Sequence, residues 1–350
     1  MCAERSECAH AGIPRGNQMG KKSKKGKAPA CIRHHVAVPG EFFQILVDYV
    51  KEYPAEVITE QPPGQSASHH APESECLTDR TRLFLFLIID MIDDLVNEGI
   101  CLEELKAQNI VILSNGRPKL NGVEFVERKD LDTLMKFKEK VSENYLQLSG
   151  IFSREFLDKV PFMPADVTHL LFLMKQNAWE MRLLINYHAA TVPRANILTL
   201  YIRVYNYTWE ILRTKDPDGY SYVLKNMEFD PMWRQLVPYN RHLQRYYQNT
   251  SYLNTLPPGT EAFLLKERRL VARFKRNGAS HPLELALDMD PSSEDGMLYS
   301  QCVGLGHIYQ SHFSRLTYSL QGALQAIKKL RFVEIKSLFS NSCKEYKEIV

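Results

Sequence analysis

The sequence predicts a mainly α-helical protein that contains one short β-hairpin. Apolar residues recur at helical spacing through nearly all of the chain beyond residue 128. The best strand signal lies upstream, where residues 109–113 and 118–120 flank an Asn115-Gly116 turn, a dipeptide that is typical of a hairpin between β-rich runs. Prolines separate the helical segments, at Pro193, Pro217, Pro231, Pro257, Pro258 and Pro282.

Composition excludes several classes of protein. The 350 residues are 44% hydrophobic and 24% charged, which suits a buried core, and the net charge of +3 does not indicate a nucleic-acid or membrane partner. Seven cysteines without a Cys-x-x-Cys pair favour free thiols in a reducing compartment. The strongest apolar run, residues 83–89, is far shorter than the roughly 20 residues of a membrane span, and no secretory signal is visible. We therefore expect a soluble protein with no membrane span, located in the cytoplasm or, as the alternative, in the nucleus.

Five segments follow from the distribution of polar and apolar residues. Residues 1–36 form a basic polar tail that we expect to be disordered, and its run at 21–27 is typical of a solvated tail, with nuclear import or nucleic-acid contact as the alternative. Residues 37–78 comprise a short helix at 39–53 and a linker at 61–75. The remaining segments are 79–160, 161–335 and a C-terminal tail at 336–350.

The helical pattern becomes firm at residue 79. Asp79 or Thr81 is a suitable cap for a helix that runs to about Asn97, and Gly99 ends it. An acidic loop is expected at residues 285–297. The other predicted helices are 129–147, 153–159, 165–190, 194–214, 233–248, 260–277, and 299 to the C-terminus.

Residues 102–113 read Leu-Glu-Glu-Leu-Lys-Ala-Gln-Asn-Ile-Val-Ile-Leu, after a predicted helix and before a predicted hairpin. This order resembles the catalytic loop of protein kinases, His-Arg-Asp-Leu-Lys-Pro-x-Asn. The resemblance covers about residues 80–145 and implies that the segment 79–160 is a truncated kinase-like C-lobe. The residues that fall on family positions are Leu105, Lys106, Gln108 and Asn109.

The departures from the kinase pattern fall on the residues that perform the chemistry. Residues 102–103 are Leu-Glu instead of His-Arg, Glu104 stands at the position of the catalytic base, and residues 122–124 are Gly-Val-Glu instead of the metal-binding Asp-Phe-Gly. Phosphoryl transfer depends on positioning and on Mg²⁺ that neutralises the phosphates. We therefore expect no kinase activity and no ATP or Mg²⁺ cofactor. Glu104, Lys106 and Asn109 are then a degenerate kinase loop that serves the fold.

A predicted basic helix near residue 270 provides the second candidate site. Gly278 is a suitable end for this helix, and His281 follows directly. Such a face is typically solvated, but a phosphate also fits beside a histidine at the end of a basic helix, so the spacing leaves both interpretations open. The basic residues that share one helical face are Lys266, Arg269, Arg273 and Arg276.

The segment 270–282 reads Leu-Val-Ala-Arg-Phe-Lys-Arg-Asn-Gly-Ala-Ser-His-Pro. It resembles the Leu-Leu-Arg-x-x-Arg-Asn-x-x-x-His signature of the kinase-extension nuclease (KEN) domain. That domain follows the kinase C-lobe in the unfolded-protein-response sensor kinase/ribonuclease and in RNase L. Arg276, Asn277 and His281 keep the family spacing, and weaker similarity extends over residues 165–330.

This resemblance implies a helical KEN-like domain at residues 161–335 that cleaves RNA without a metal ion. His281 then acts as general acid, while Arg276 and Asn277 bind the phosphate. The base in that family is a tyrosine, but ungapped counting places Phe263 there, which has no hydroxyl group. Nearby tyrosines that supply the base if residues 256–259 are an insertion are Tyr246, Tyr247 and Tyr252. Residues implied to bind RNA are Lys266, Arg269 and Arg273.

Two functions follow from these resemblances. The favoured one is a non-catalytic regulatory or RNA-binding protein derived from kinase–endoribonuclease stress sensors. The alternative is a metal-independent endoribonuclease that uses His281, Arg276 and Asn277. The partners implied are RNA, a second copy of this chain, or a full-length kinase/ribonuclease, and the sequence predicts no metal site.

Overall fold

The computed structural model describes residues 34–58, 61–64, 66, 76–228, 235, 237–240, 243–244 and 294–339. Within these residues the chain is mainly helical and has small antiparallel sheets of two or three strands, which confirms the predicted fold class. The predicted division into kinase-like and KEN-like segments stays a prediction. No helix in the described part of the chain is long and apolar enough to cross a membrane.

Seven short strands in the described residues form three small antiparallel sheets, one of three strands and two of two strands. The sheet orders are β1-β5-β6, β2-β3 and β4-β7. The strands are β1 (Phe43–Ile45), β2 (Val57–Ile58), β3 (Cys76–Leu77), β4 (Ile100–Leu102), β5 (Ile110–Leu113), β6 (Pro118–Leu120) and β7 (Phe125–Glu127).

The predicted hairpin is confirmed in register and in its turn. Strands β5 and β6 pair so that Ile110 lies opposite Leu120. Gly116 has φ +73°, a value that glycine adopts without strain. The Asn115 side-chain oxygen accepts a hydrogen bond from the Arg117 N–H at 3.1 Å, which closes the turn locally.

Nine α-helices fill the rest of the described chain. They are α1 (Leu46–Glu52), α2 (Asp79–Asn97), α3 (Leu134–Ile151), α4 (Ala165–Gln176), α5 (Ala178–Asn186), α6 (Arg194–Asn206), α7 (Arg213–Lys215), α8 (Pro217–Asn226) and α9 (Glu294–Ala326). Helix α9 is kinked at Phe313, which has φ −139° and ψ 27°. The long helix packs mainly against α6, so it joins the C-terminal part of the chain to the central helices.

Helix α2 is the centre of the core, and the sequence placed it correctly. Its N-cap is Thr78, whose hydroxyl accepts from the Thr81 N–H at 3.4 Å, so neither predicted cap was right. Gly99, with φ +75°, follows its end as predicted. Most of its residues are buried, and α2 contacts strands β4 and β6 as well as helix α5.

The prediction of one helix over residues 39–53 was wrong at its start. Residues 43–45 form strand β1, which pairs with β5, and the helix begins only at Leu46. Phe43 lies opposite Leu113, about 70 positions further along the chain. A local apolar pattern does not contain such a partner, and the strand pairing overrides the helical spacing.

Three other helix boundaries differ from the sequence prediction. The helix expected at 129–147 begins at Leu134, because the Thr133 hydroxyl caps it by accepting from the Lys136 N–H at 3.2 Å. The segment expected at 153–159 is a π-helical turn at Phe152–Phe156. The helix expected at 165–190 is two helices, since Asn177 has φ −131° and ψ 51°.

Helix α8 was not predicted, although its start has a readable signal. Pro217 is its first residue, where a missing N–H costs no helical hydrogen bond. The Asp216 carboxylate caps the helix by accepting from the Gly219 N–H at 2.9 Å. The helix expected at 194–214 is present as α6, a π-helical turn at Tyr207–Leu212, and α7.

Some predicted segments lie outside the described residues. These are the basic tail at 1–33, most of the linker at 61–75, most of the helix at 233–248, the helix at 260–277, nearly all of the acidic loop, and the tail beyond 339. The predicted C-terminal helix begins at Glu294 rather than at 299 and ends at Ala326.

The contact of α9 with α6 is close at Gly306, and it gives the first testable prediction. A Cβ atom at Gly306 would lie 2.7 Å from the carbonyl oxygen of Arg194, which is backbone and does not move aside easily. We expect Gly306→Ala to lower the free energy of unfolding, measured by urea denaturation, by about 1–3 kcal/mol.

Gly322, on the same helix, provides the matched control. The nearest atom to an added Cβ there is 4.0 Å away, on Leu184. Gly322→Ala is therefore expected to stabilise the protein by up to about 1 kcal/mol, because alanine favours helix over glycine. Equal effects of the two substitutions would contradict the close approach of α9 to α6.

Candidate functional site

The kinase-like loop occupies residues 103–109, between β4 and β5, and helix α3 holds it in place. The Leu102 N–H donates to the Asn144 side-chain oxygen at 2.9 Å, and the Asn144 side-chain N–H donates back to the Leu102 carbonyl at 2.9 Å. The Leu105 N–H donates to the Gln147 side-chain oxygen at 2.8 Å. Two amide side chains from one helix therefore fix the backbone at the start of the loop.

The Asn109 side chain is hydrogen-bonded to the backbone of the loop and of the segment after the hairpin. Its oxygen accepts from the Lys106 N–H at 3.0 Å, and its nitrogen donates to the carbonyls of Asn121 and Gly122 at 3.2 and 3.3 Å. Both amide hydrogens are thus used, as is one of the oxygen lone pairs. The side chain links the kinase-like loop to the segment that follows the hairpin.

Glu104 and Lys106 form an ion pair with each other at 2.7 Å. Both side chains are more than half exposed, at 57% and 59%, so the pair contributes little to stability. The structure thus brings the three residues predicted to form the degenerate kinase loop into one small area of surface.

Residues 122–124 lie directly beside this loop. Gly122 has φ +65°, and its carbonyl accepts from Asn109. The Glu124 carbonyl accepts from the Glu103 N–H at 2.9 Å. The segment therefore meets the loop through its backbone, and a glycine stands where the kinase pattern has a metal-binding carboxylate.

The nuclease-like residues lie outside the described part of the chain. The structure gives no position for His281, Arg276 and Asn277, nor for the basic face at Lys266, Arg269 and Arg273. Their proposed roles therefore still depend on the sequence.

An acidic cleft that lies beside helix α2 was not predicted from the sequence. Asp90, Asp93 and Asp94 line it together with Asn186 and Lys336, and its volume is about 240 Å³. The spacing of the three aspartates on a predicted helix was a readable signal for a shared face. Asn186 on α5 and Lys336 beyond α9 line the opposite side of the cleft. The sequence pattern does not indicate their proximity, because they are about 90 or more positions away from the aspartates.

The three carboxylates of the acidic cleft differ in their partners. Arg182 donates from Nε to Asp93 at 2.7 Å, so this charge is neutralised. Asn186 donates to Asp90 at 3.2 Å. Burial raises the pKa of Asp90 and also that of Asp94, which disfavours their charged forms.

Asp94 also faces two histidines that precede the first strand. The side-chain ligand atoms of His34, His35 and Asp94 all lie within 4.8 Å of one another. Burial, with His34 adding to it, lowers the pKa of His35 to about 4, so its ring is neutral at pH 7. Two imidazoles and a carboxylate are a donor set that transition metals accept, and these are the residues that stand together as possible ligands in the described part of the chain.

A second histidine pair, in which His188 is buried and His169 half-buried, belongs to the packing of the helices. His169 Nδ1 lies 2.9 Å from His188 Nε2, and the Ala190 N–H donates to His188 Nδ1 at 3.1 Å. Burial lowers the pKa of His169 to about 4 and that of His188 well below its usual value. The Tyr318 ring stacks on His169 with 4.4 Å between centroids, so the pair is part of the core.

A scan against known protein families found no family that matches this chain, and a search of curated proteins also found no match. The kinase-like and KEN-like resemblances therefore stand on the motif residues alone.

Proposed function

We propose that this chain is a non-catalytic regulatory or RNA-binding protein derived from kinase–endoribonuclease stress sensors. The observation that carries the proposal is the engagement of Asn109, whose side chain bonds to the backbone at Lys106, Asn121 and Gly122. An asparagine used in this way holds the loop together, and its oxygen, the atom that would bind Mg²⁺ in a kinase, accepts a hydrogen bond from the Lys106 N–H.

The charges around the loop support the same proposal. Phosphoryl transfer needs a carboxylate that receives a proton and metal ions that bridge the phosphates. Glu104 is instead paired with Lys106 at 2.7 Å. Gly122 supplies no carboxylate to hold a metal ion, and its carbonyl is bonded to Asn109. These contacts favour a loop that serves the fold and a protein that acts by binding.

The first test separates a structural loop from a catalytic one. The purified chain, Glu104→Gln and Asn109→Ala are incubated with labelled ATP, Mg²⁺ and a general protein substrate. We expect no phosphate transfer above background from any of them, and a lower melting temperature for Asn109→Ala because three hydrogen bonds are lost. Transfer by the wild type that disappears in Glu104→Gln, with melting unchanged, would contradict the proposal.

The second test addresses RNA. The predicted basic face makes salt-dependent RNA binding the expected activity, since neutralised phosphates release counterions. The variant Arg269→Gln/Arg273→Gln is expected to weaken binding in a filter-binding assay, while His281→Ala binds as the wild type does. The matched control Arg331→Gln removes one exposed cation far from the basic segment in sequence.

The same RNA assay, run in EDTA, distinguishes the alternative function. Cleavage by the wild type that is lost in His281→Ala would establish a metal-independent endoribonuclease and overturn the non-catalytic proposal. In that case Arg276 and Asn277 bind the phosphate and His281 protonates the leaving oxygen.

A further inference from the structure

His34 and His35 are held against helix α2 by the backbone that follows them. Val36 bridges to Leu120, and the Ala37 N–H donates to the Leu120 carbonyl at 2.9 Å. Asp94 belongs to the last turn of α2, where the Glu98 N–H donates to its carbonyl at 3.1 Å. The imidazoles and the carboxylate therefore project from two fixed stretches of backbone, which is how binding sites acquire a defined geometry.

The contact between the His35 ring and the Asp94 carboxylate does not have the geometry of a hydrogen bond. Nε2 of His35 is buried and has no hydrogen-bond partner within the described ranges. It lies 3.4 Å from the Oδ2 of Asp94. A buried nitrogen without a partner requires a physical explanation, because leaving it unsatisfied costs free energy.

A metal ion between the two atoms provides that explanation. Zinc binds nitrogen and carboxylate oxygen at about 2.0–2.2 Å in a tetrahedron, and the edge of such a tetrahedron is about 3.4 Å. The observed separation of His35 Nε2 from Asp94 Oδ2, 3.4 Å, equals that edge. The rings of His34 and His35 are in contact, with 3.8 Å between centroids, and the ligand atoms of both histidines and of Asp94 lie within 4.8 Å of one another.

The electrostatic surroundings favour a cation at this position. Asp94 lies at the C-terminal end of α2, where the helix dipole is negative. Arg182 pairs with Asp93 at 2.7 Å, whereas no lysine or arginine among the residues that the structure describes forms a salt bridge with Asp94. Both His34 and Asp94 are exposed, so an ion has a path to the group.

We propose that His34, His35 and Asp94 form a binding site for a divalent transition-metal ion, and that Zn²⁺ is the ion that fits best. Two imidazole nitrogens and one carboxylate oxygen provide three ligands, and water completes the tetrahedron. Mg²⁺ and Ca²⁺ fit poorly, since both prefer sets made entirely of oxygen ligands. Bound metal ties the segment before β1 to the end of α2.

The test is a calorimetric titration of the reduced full-length chain with Zn²⁺. The wild type is expected to have a site that Asp94→Asn and His35→Ala each weaken by about 100-fold or more, since loss of a mere supporting residue already costs 10–100-fold. The melting temperature of the wild type is expected to rise with Zn²⁺ and to fall again in EDTA. Asp94→Asn without metal is expected to melt as the wild type does, because this isosteric change breaks no hydrogen bond of Asp94 in the structure.

Cysteine is the main competitor for zinc in this chain, so the controls address it. Burial raises the pKa of Cys76 and of Cys101 to about 11, which keeps these two thiols protonated. The Co²⁺ form is expected to have d–d absorption without thiolate charge-transfer bands. The double substitution His69→Ala/His70→Ala removes the other adjacent histidine pair in the sequence and is expected to leave the affinity unchanged.

Three results would each overturn the proposal. One is Zn²⁺ binding by Asp94→Asn with the affinity of the wild type, and another is a Co²⁺ spectrum dominated by thiolate bands. The third is the absence of any Zn²⁺ binding by the correctly folded wild type.

Discussion

Replacing Arg82 with alanine is expected to lower the free energy of unfolding by about 3–5 kcal/mol. Arg82 is fully buried, and its guanidinium is 3.5 Å from the Asp166 carboxylate, which is also buried. Removing the arginine leaves that carboxylate in the core without its counter-charge; among the side chains that the structure describes, the Gln310 amide donates to it at 2.6 Å. A buried charge without its partner is among the costliest defects in a folded protein.

Arg82 also connects parts of the chain that are far apart in sequence. Its Nε donates to the Leu77 carbonyl at 3.0 Å. Its Nη1 reaches the carbonyls of Ala189, Ala190 and Val192 at 3.0, 3.2 and 3.3 Å. This one side chain on α2 donates to three backbone carbonyls in the turn between α5 and α6. Its loss therefore leaves several buried carbonyl groups without a hydrogen-bond donor.

Arg80, two residues earlier on the same helix, is the matched control. It donates to the Pro54 carbonyl at 3.1 Å and pairs with Glu56 at 2.9 Å, but it is partly exposed. Arg80→Ala is expected to cost about 1 kcal/mol or less, because water replaces these contacts. The measurement is guanidinium denaturation of both variants, and similar losses would mean that the Arg82 network is not the junction described above.

Asn144→Ala is the second substitution with a large expected effect, about 2–4 kcal/mol. Asn144 is buried, and it satisfies both the N–H and the carbonyl of Leu102 at 2.9 Å each. Alanine leaves two buried backbone groups without partners at the edge of the kinase-like loop. Urea denaturation measures the loss, and amide hydrogen exchange at Leu102 is expected to accelerate in the variant.

Gln147→Ala, one turn further along α3, serves as a graded control. Gln147 accepts a hydrogen bond from the Leu105 N–H at 2.8 Å and a longer one from the Asn144 side chain at 3.5 Å, at a partly exposed position. We expect a loss of about 1 kcal/mol, since water reaches the freed N–H. A larger loss from Gln147→Ala than from Asn144→Ala would show that the loop is anchored differently.

Local signals in the sequence were sufficient for much of the fold. The β5–β6 hairpin follows from Asn115-Gly116, because this turn needs only residues within it. Helix α2 follows from a long apolar pattern that ends at Gly99. Pro217 lies at a boundary between helices, as predicted, and it is also the first residue of α8, a helix that was not predicted.

Strand β1 and the two candidate sites could not be predicted in the same way. Strand β1 exists because β5 supplies its hydrogen bonds, and that partner is distant in sequence. The kinase-like loop was recognised from its residues, but the engagement of Asn109 by Asn121 and Gly122 depends on how the hairpin folds back. His34 and Asp94 are about 60 positions apart, and no spacing rule relates them.

The amino-acid sequence was enough to establish a helical protein with one hairpin, while its resemblance to a kinase loop with substituted catalytic positions stays a prediction. Those features depend on periodicity, turn chemistry and residue type, which neighbouring residues set. Three sets of contacts arose only in the folded chain. They are the hydrogen bonds of Arg82, those of the Asn109 side chain, and the proximity of His34 and His35 to Asp94. Each of these contacts forms because segments that are distant in sequence pack against one another. Burial raises the free-energy cost of a charge or a polar nitrogen that has no partner, and local sequence does not set that burial.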